Sequence, residues 1–413
     1  MIPLKFVHMA DVHLDAGFYS RQEGVRKRLR DAVRIAFQRG VDLCIDQQVH
    51  CLLIAGDLFD GQRLSFETEK FLIENMNRLN EYGIQVFYCT GNHDPGGMGQ
   101  YSNVKWPSNV RVFGDEKIET AEIKNREGRV VGRVVSCGHG SRNLNRNLVK
   151  DFPQAQDDVC HIGLVHAMVT GAASLANHCR YAPCSLDDLM SKEYHYWALG
   201  HIHTRQQMGD GIYYPGNIQG RHPGETGDRG CYLVEVYPGG IPHVEFCPLA
   251  AVKWHQLTLD NLADVSHVEE LEACIIQLCN KALEDEQLPA RDHIMRIYLT
   301  GSCPLYDRLE DEEDVAFLEE QITYQTGVLS VEILSGLRPP VVADKYINDV
   351  NLLAHVLNLI EEAELRDDVL ERLIPDQLAA GRFADSKERL AYARSLLKGL
   401  KQEAVARMVV DGE

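Results

Sequence analysis

Five apolar runs in the first half of the chain each end on residues that bind hard cations, and this repeated ending restricts the folds open to it. LKFVHMAD ends at Asp11, with His13 just beyond, and CLLIAGD ends at Asp57. IQVFYCTGNHD carries Asn92, His93 and Asp94, HIGLVH ends at His166, and YHYWALGHIH ends on His201 and His203. Open α/β sheets place ligands at the carboxyl ends of their strands, so five such endings predict one shared site. The helical stretches RKRLRDAVRIAFQRGVDLCIDQQ and FETEKFLIENMNRLNEYG separate the first three runs and give a β-α-β-α-β order. Beyond residue 129 the signals turn β-rich (VVGRVVSCG, DVCHIGLVHAMV, GIYYPGN, GCYLVEVYPGG), which predicts a second sheet stacked on the first.

The side chains at these endings suit two adjacent divalent cations and a phosphate ester. Asp11 and His13, one residue apart at a strand end, grip one cation together with His203. Asp57 has two oxygens and bridges. Asn92 offers a hard amide oxygen to the second cation, with His166 and His201 beside it. In an extended His-x-His both rings point the same way, so His201 and His203 reach neighbouring ions. His93 is the spare histidine: it faces the substrate, stabilising charge or protonating the leaving oxygen. Asp94 is placed to hold the His93 ring in one tautomer.

The 413 residues exceed one average domain. Residues 1–250 form the catalytic α/β region. Residues 251–337 read as a small α+β capping module, and 338–413 as a Pro-Pro linker followed by two amphipathic helices (Leu352, Leu353, Val356, Leu357, Leu359, Ile360; then Leu390, Leu396, Leu397, Leu400). The net charge of −19 is unevenly placed: 26 Lys+Arg oppose 29 Asp+Glu up to residue 250, and 16 oppose 32 after it. Non-specific DNA binders usually show a basic face, so any grip on DNA falls to the metals, to local arginines or to a partner. Candidate contacts are Arg21, Arg26, Lys27, Arg28 and Arg30, and then Arg221 and His222 in a Gly/Pro-rich loop. Twelve scattered cysteines make no C-x-x-C pair, so neither a zinc site nor a disulfide scaffold is expected, and a reducing cytoplasm is. The apolar runs are too short for a membrane span, and the start lacks the pattern of a signal peptide.

The order D-x-H, G-D, G-N-H, H, G-H-x-H resembles the calcineurin-like metallophosphoesterase superfamily. His8-Met9-Ala10-Asp11-Val12-His13-Leu14-Asp15 resembles the opening of SbcD-type DNA repair nucleases, and Tyr214 to Val236 is similar to their bacterial YhaO-like branch. The resemblance implies a Mn²⁺-dependent DNA exonuclease, with Mg²⁺ or another divalent ion as substitute and single-strand endonuclease action besides, working on broken or blocked DNA ends. It implies a capping domain, a homodimer, and a tail docked on a coiled-coil ATPase of the structural-maintenance-of-chromosomes type. The alternatives are a small-molecule phosphodiesterase or nucleotidase, and a metal-bound scaffold for the ATPase without catalysis. Family members often carry histidine three residues after the bridging aspartate; this chain has Asp60, which bears on phosphate binding and on the balance of exonuclease and endonuclease action. Gly-Asp-Leu-Phe-Asp also departs from the Asp-Arg-Gly continuation of the protein phosphatases.

Overall fold

The computed structural model describes residues 3–18, 22–60, 64–96, 104–156, 159–172, 181–237, 239–340, 351–374, 386–397 and 399–408. Arg21, Cys179, Pro375, Gly381 and most of the expected linker lie outside them. The chain divides into two units, residues 1–255 with 291–294, and residues 256–290 with 295–413.

The first unit is a two-sheet sandwich. Strands β1 (Leu4–Met9), β2 (Cys51–Ala55), β3 (Gln85–Cys89) and β4 (Val110–Phe113) run parallel, and β11 (Gly230–Val236) and β12 (His243–Pro248) continue the sheet antiparallel beyond β1. In the second sheet β6 (Val130–Ser136), β7 (Cys160–His166), β8 (Tyr196–Gly200) and β10 (Ile212–Tyr214) are parallel. Its antiparallel edges are β5 (Glu119–Lys124) and β9 (Gln206–Gly209). Alternate residues turn inward, as the two-residue strand period requires. Leu4 and Phe6, Leu53 and Ala55, Phe87 and Cys89 meet Val134, Ile162, Leu164, Tyr196 and Ala198 in one buried core. The other faces are apolar too, which is why β2, β7 and β8 are continuous hydrophobic runs.

Two helices join the first three strands: α1 (Glu23–Asp46) and α2 (Phe66–Glu81). Ser65 caps α2 by accepting the Thr68 N–H, and Gly83, at φ 70°, turns the chain into β3. In the second unit a three-stranded sheet has the order β13 (Lys253–Leu259), β14 (His293–Ser302), β15 (Ser330–Arg338). Leu271, Ile275 and Cys279 of α3 (Val268–Leu283) and Leu318 and Ile322 of α4 (Glu312–Thr326) pack in its core with Met295, Ile297 and Leu299. In place of the two tail helices that apolar spacing predicts, the described residues contain four: Leu352–Leu365, Asp367–Leu373, Ser386–Leu397 and Leu400–Met408. An extended Arg366 divides the first pair and Gly399, at φ 81°, precedes the last helix. Both are backbone stops that side-chain periodicity does not register.

Where β8 ends beside β2 the sheets leave no room for a side chain. A Cβ on Gly200 would sit 1.7 Å from the Ala55 carbonyl oxygen. Gly200→Ala is therefore expected to force the two strand ends apart, costing about 1–3 kcal/mol or more. Thermal melting should show a lowered Tm and divalent-ion titration a weakened site, whereas Gly24→Ala, which meets nothing within 4 Å, should change neither.

Candidate metal centre

The site is assembled from backbone before any side chain meets another. The segment after β1 runs beside the segment after β2. Asp11 N–H donates to Gly56 O (3.2 Å), His13 N–H to Asp57 O (2.9 Å) and Leu14 N–H to Leu58 O (2.9 Å), and Asp60 N–H returns to Leu14 O (2.9 Å). Along this track Asp11, His13 and Asp57 sit at φ 51°, 53° and 50°, and across the cleft His201 sits at φ 103°. Left-handed backbone at non-glycine residues costs about 1–3 kcal/mol each and persists only where its surroundings over-determine it. The two D-x-H and H-x-H steps thus gather their side chains by left-handed turns, and the extended alternation expected from sequence is not how they do it. Gly56, at φ 81°, is bare because a Cβ there would lie 2.1 Å from the His166 ring.

The side chains converge. His13 Nε2 lies 3.2 Å from His203 Nε2 and 3.8 Å from Asp57 Oδ2, and His203 Nε2 lies 4.0 Å from Asp11 Oδ1. His166 Nε2 stands 3.4 Å from Asp57 Oδ2 and 3.0 Å from Asn92 Oδ1. Ligand atoms of Asp11, His13 and His203, and of Asp11, Asp57 and His166, fall within 4.8 Å of one another. His201 gives its backbone N–H to both Asp11 oxygens (3.1 Å each) and packs its ring edge-on at 5.3 Å from that of His166.

Charge and protonation fit a cation here. Asp11 is buried, and desolvation, then the neighbouring Asp57 carboxylate, push its pKa well above the usual carboxylate range. A bound cation relieves both effects. Burial lowers His13 to about 3 and His166 well below the ordinary imidazole range, so both rings are neutral, the form that ligates metal. His166 Nδ1–H donates to Ala55 O (3.0 Å), which leaves the Nε2 lone pair facing the carboxylates.

A carboxylate absent from the sequence expectations does the same for His203. Glu225, 2% exposed, lies 2.6 Å from His203 Nδ1, and its other oxygen accepts from Asn217 Nδ2 (2.7 Å) and the Arg221 N–H (2.6 Å). Burial opposes its ionisation, but these hydrogen bonds hold its pKa well below the ordinary range. A lone Glu in a Gly-rich loop has no periodicity or pairing to betray it.

One sequence expectation is corrected by this geometry. Asp94 does not meet the His93 ring: Oδ2 accepts from Leu58 N (2.6 Å), Phe59 N (3.2 Å) and Tyr88 Oη (2.6 Å), and Oδ1 from Gly91 N (2.6 Å). It braces the loops after β2 and β3. The carboxylate on His93 is that of Asp60, 2.7 Å from Nδ1, whose second oxygen takes Arg221 Nη2 at 2.7 Å. Desolvation lowers the His93 pKa, but the Asp60 hydrogen bond and nearby carboxylate charges outweigh it and raise it. Of the proposed DNA contacts, Arg221 is thus committed to Asp60, while His222 on the same loop is 57% exposed. Arg28 is bound to Asp292, and Arg26 and Arg30 line an open cleft with Phe66.

This fold and donor set define a dimetal phosphoesterase. The chain belongs to the calcineurin-like metallophosphoesterases: residues 4–205 match the family model for calcineurin-like phosphoesterase. It is 33% identical over 307 residues to the uncharacterized metallophosphoesterase YhaO of Bacillus subtilis (strain 168), an alignment covering 73% of this chain and 72% of that protein. It is also similar to two proteins named DNA double-strand break repair protein Mre11. The one from Methanopyrus kandleri is 26% identical across 65% of this chain and 61% of its own length. That from Sulfolobus acidocaldarius is 23% identical across 80% and 84%. No helix among the described residues is long and apolar enough to cross a membrane.

Carboxylates behind metal-bound histidines typically contribute about 10–100-fold to metal affinity. Glu225→Gln is expected to weaken divalent binding by that factor in isothermal titration while leaving the far-ultraviolet circular dichroism unchanged.

Proposed function

We propose that this chain is a Mn²⁺-dependent phosphodiesterase that shortens DNA from its ends. Residues 1–250 carry the chemistry, 251–337 cap it, and the tail beyond meets a partner. Asp11, His13 and His203 would hold one ion and Asn92, His166 and His201 the other, with Asp57 as a ligand common to both. The carrying observation is one histidine at the exposed edge of the buried donor cluster: His93, 41% exposed and held at Nδ1 by Asp60, lies with His13 and Asp57 in a group whose ligand atoms fall within 4.8 Å of one another. When bound, the two ions neutralise the phosphate and activate a water for in-line attack. The chain's own residues do the rest. His93 N–H donates to Asp57 Oδ1 (2.9 Å), so its backbone rides on the bridging carboxylate. Asp60 accepts the hydrogen bond from Nδ1–H and keeps the ring protonated, which leaves the Nε2–H free to be donated to the departing sugar oxygen. Mixed carboxylate, amide and imidazole donors suit Mn²⁺, with Mg²⁺ as a substitute.

DNA as the substrate is supported by the names of the two archaeal relatives. His222, with Arg221 behind it, is the proposed contact to the phosphate backbone. A coiled-coil ATPase as partner is supported by apolar side chains on the tail helices, among them Leu352 (70% exposed), Leu365 (75%) and Leu396 (56%). A homodimer is carried over from the family resemblance alone.

The test is degradation of end-labelled single- and double-stranded DNA by the purified chain with Mn²⁺, Mg²⁺ or EDTA. Shortening that needs Mn²⁺ and falls about 10²–10⁴-fold in His93→Ala is expected for loss of a general acid. Intact DNA beside a hydrolysed model diester would assign the site to small phosphodiesters instead.

The raised His93 pKa sets a second outcome. A general acid works while protonated, so kcat/KM on DNA should be full below that pKa and fall as pH rises through it. Asp60→Asn removes the principal raising interaction and should move the falling limb to lower pH. With p-nitrophenyl diesters, whose leaving group needs no proton, the variant should differ little from the parent.

A further inference from the structure

Away from the metals, the register of β11 against β12 sets two cysteines directly opposite each other. Cys231 pairs with Cys247 across the antiparallel ladder, and β12 is the outer strand of its sheet. Directly opposed antiparallel residues have Cα atoms about 4.5–5.5 Å apart, inside the span of about 4.4–6.8 Å that a disulfide bridges. Each thiol shifts the other's ionisation, as close neighbours do. Tyr232 and Val234 face the inter-sheet core, so by strand alternation the cysteine pair occupies the opposite face. The pair is unequal: Cys231 is buried, whereas Cys247 is half-buried and open to a small reagent.

We propose that Cys231 and Cys247 form a reversible oxidation site, which a peroxide converts to a cross-strand disulfide stapling the edge strand β12 to β11. Cys247, as thiolate, attacks the O–O bond; its sulfur becomes a sulfenic acid and one water leaves. Cys231 sulfur then attacks the sulfenic sulfur, the S–S bond forms and a second water departs. Two thiols lose two electrons and two protons, and one peroxide becomes two waters. The neighbouring Cys231 lowers the Cys247 pKa, while Cys247, with burial, raises that of Cys231. This asymmetry separates the attacking thiol from the resolving one.

The staple closes a hairpin already in register, so it forms without moving the strands. Arg229, two residues before Cys231, accepts at its carbonyl the N–H groups of Leu249 (2.8 Å) and Ala250 (3.1 Å), and its guanidinium holds Asn217 Oδ1 (3.0 Å). Oxidation therefore ties down the strand pair on which this buried arginine rests. A cross-link of this kind also restricts the unfolded chain.

The full-length protein, reduced and then treated with a few equivalents of hydrogen peroxide, should lose about 2 Da, the two hydrogens of a disulfide. Non-reducing peptide mapping should recover a Cys231–Cys247 link, Tm should rise by several degrees, and dithiothreitol should reverse both changes. Cys231→Ser should instead leave a sulfenic acid on Cys247 that dimedone captures. A Cys44–Cys231 link, oxygen added to Cys247 of the parent without a link, or an unchanged mass would each overturn the proposal. Mass and melting report on it whether or not the chain cleaves DNA.

Discussion

Two carboxylates buried side by side govern this protein. Asp11 and Asp57 sit in the cleft between two sheets, where water cannot screen them and the Asp57 charge raises the free energy of ionising Asp11. The fold answers with polar groups directed at them: the His201 N–H on Asp11, the His93 N–H on Asp57, and the Nε2 edges of His13, His166 and His203 on both. The neutral rings of His13 and His166 do not cancel negative charge, so divalent cations complete the balance. The chemistry follows from that electrostatic demand, because the same ions that settle the carboxylates can hold a phosphate.

The close meeting of the two sheets makes this burial feasible. Ala55, Gly200 and His166 come from three strands and share a volume that admits no extra methyl group. The Ala55 carbonyl borders Gly200 and also orients His166 through Nδ1. Packing density and ligand orientation are therefore one property at this point, and a change made for either reason affects the other.

Strand ends bearing ligands were legible in the sequence because apolar runs and terminal polar residues are local signals, and local order along a parallel sheet maps onto one edge of it. Contacts between loops were not. Asp94 follows His93 directly and so suggested itself as its partner, yet the turn after β3 carries its carboxylate back under Gly91 and Tyr88. Asp60 registered only as a departure from a family pattern, and its place on His93 depends on how the loops after β2 and β3 pack. Glu225 reaches His203 across 22 residues through a turn with no periodicity. In the tail, apolar spacing revealed helices but not their number, because single backbone breaks leave that spacing almost intact.

The left-handed corners at Asp11, His13, Asp57 and His201 bear on how such a centre can drift over evolution. A residue at such a corner must tolerate positive φ, and asparagine, aspartate and histidine are the side-chain-bearing residues enriched there. These same three provide amide, carboxylate and imidazole donors for metals. The backbone therefore filters the substitutions before coordination chemistry acts on them. Exchanges within this small alphabet can retune which ion is preferred while the chain path survives. Branched aliphatic residues are excluded on conformational grounds alone, so the corners would keep a polar lining even in a descendant that no longer needed its metals.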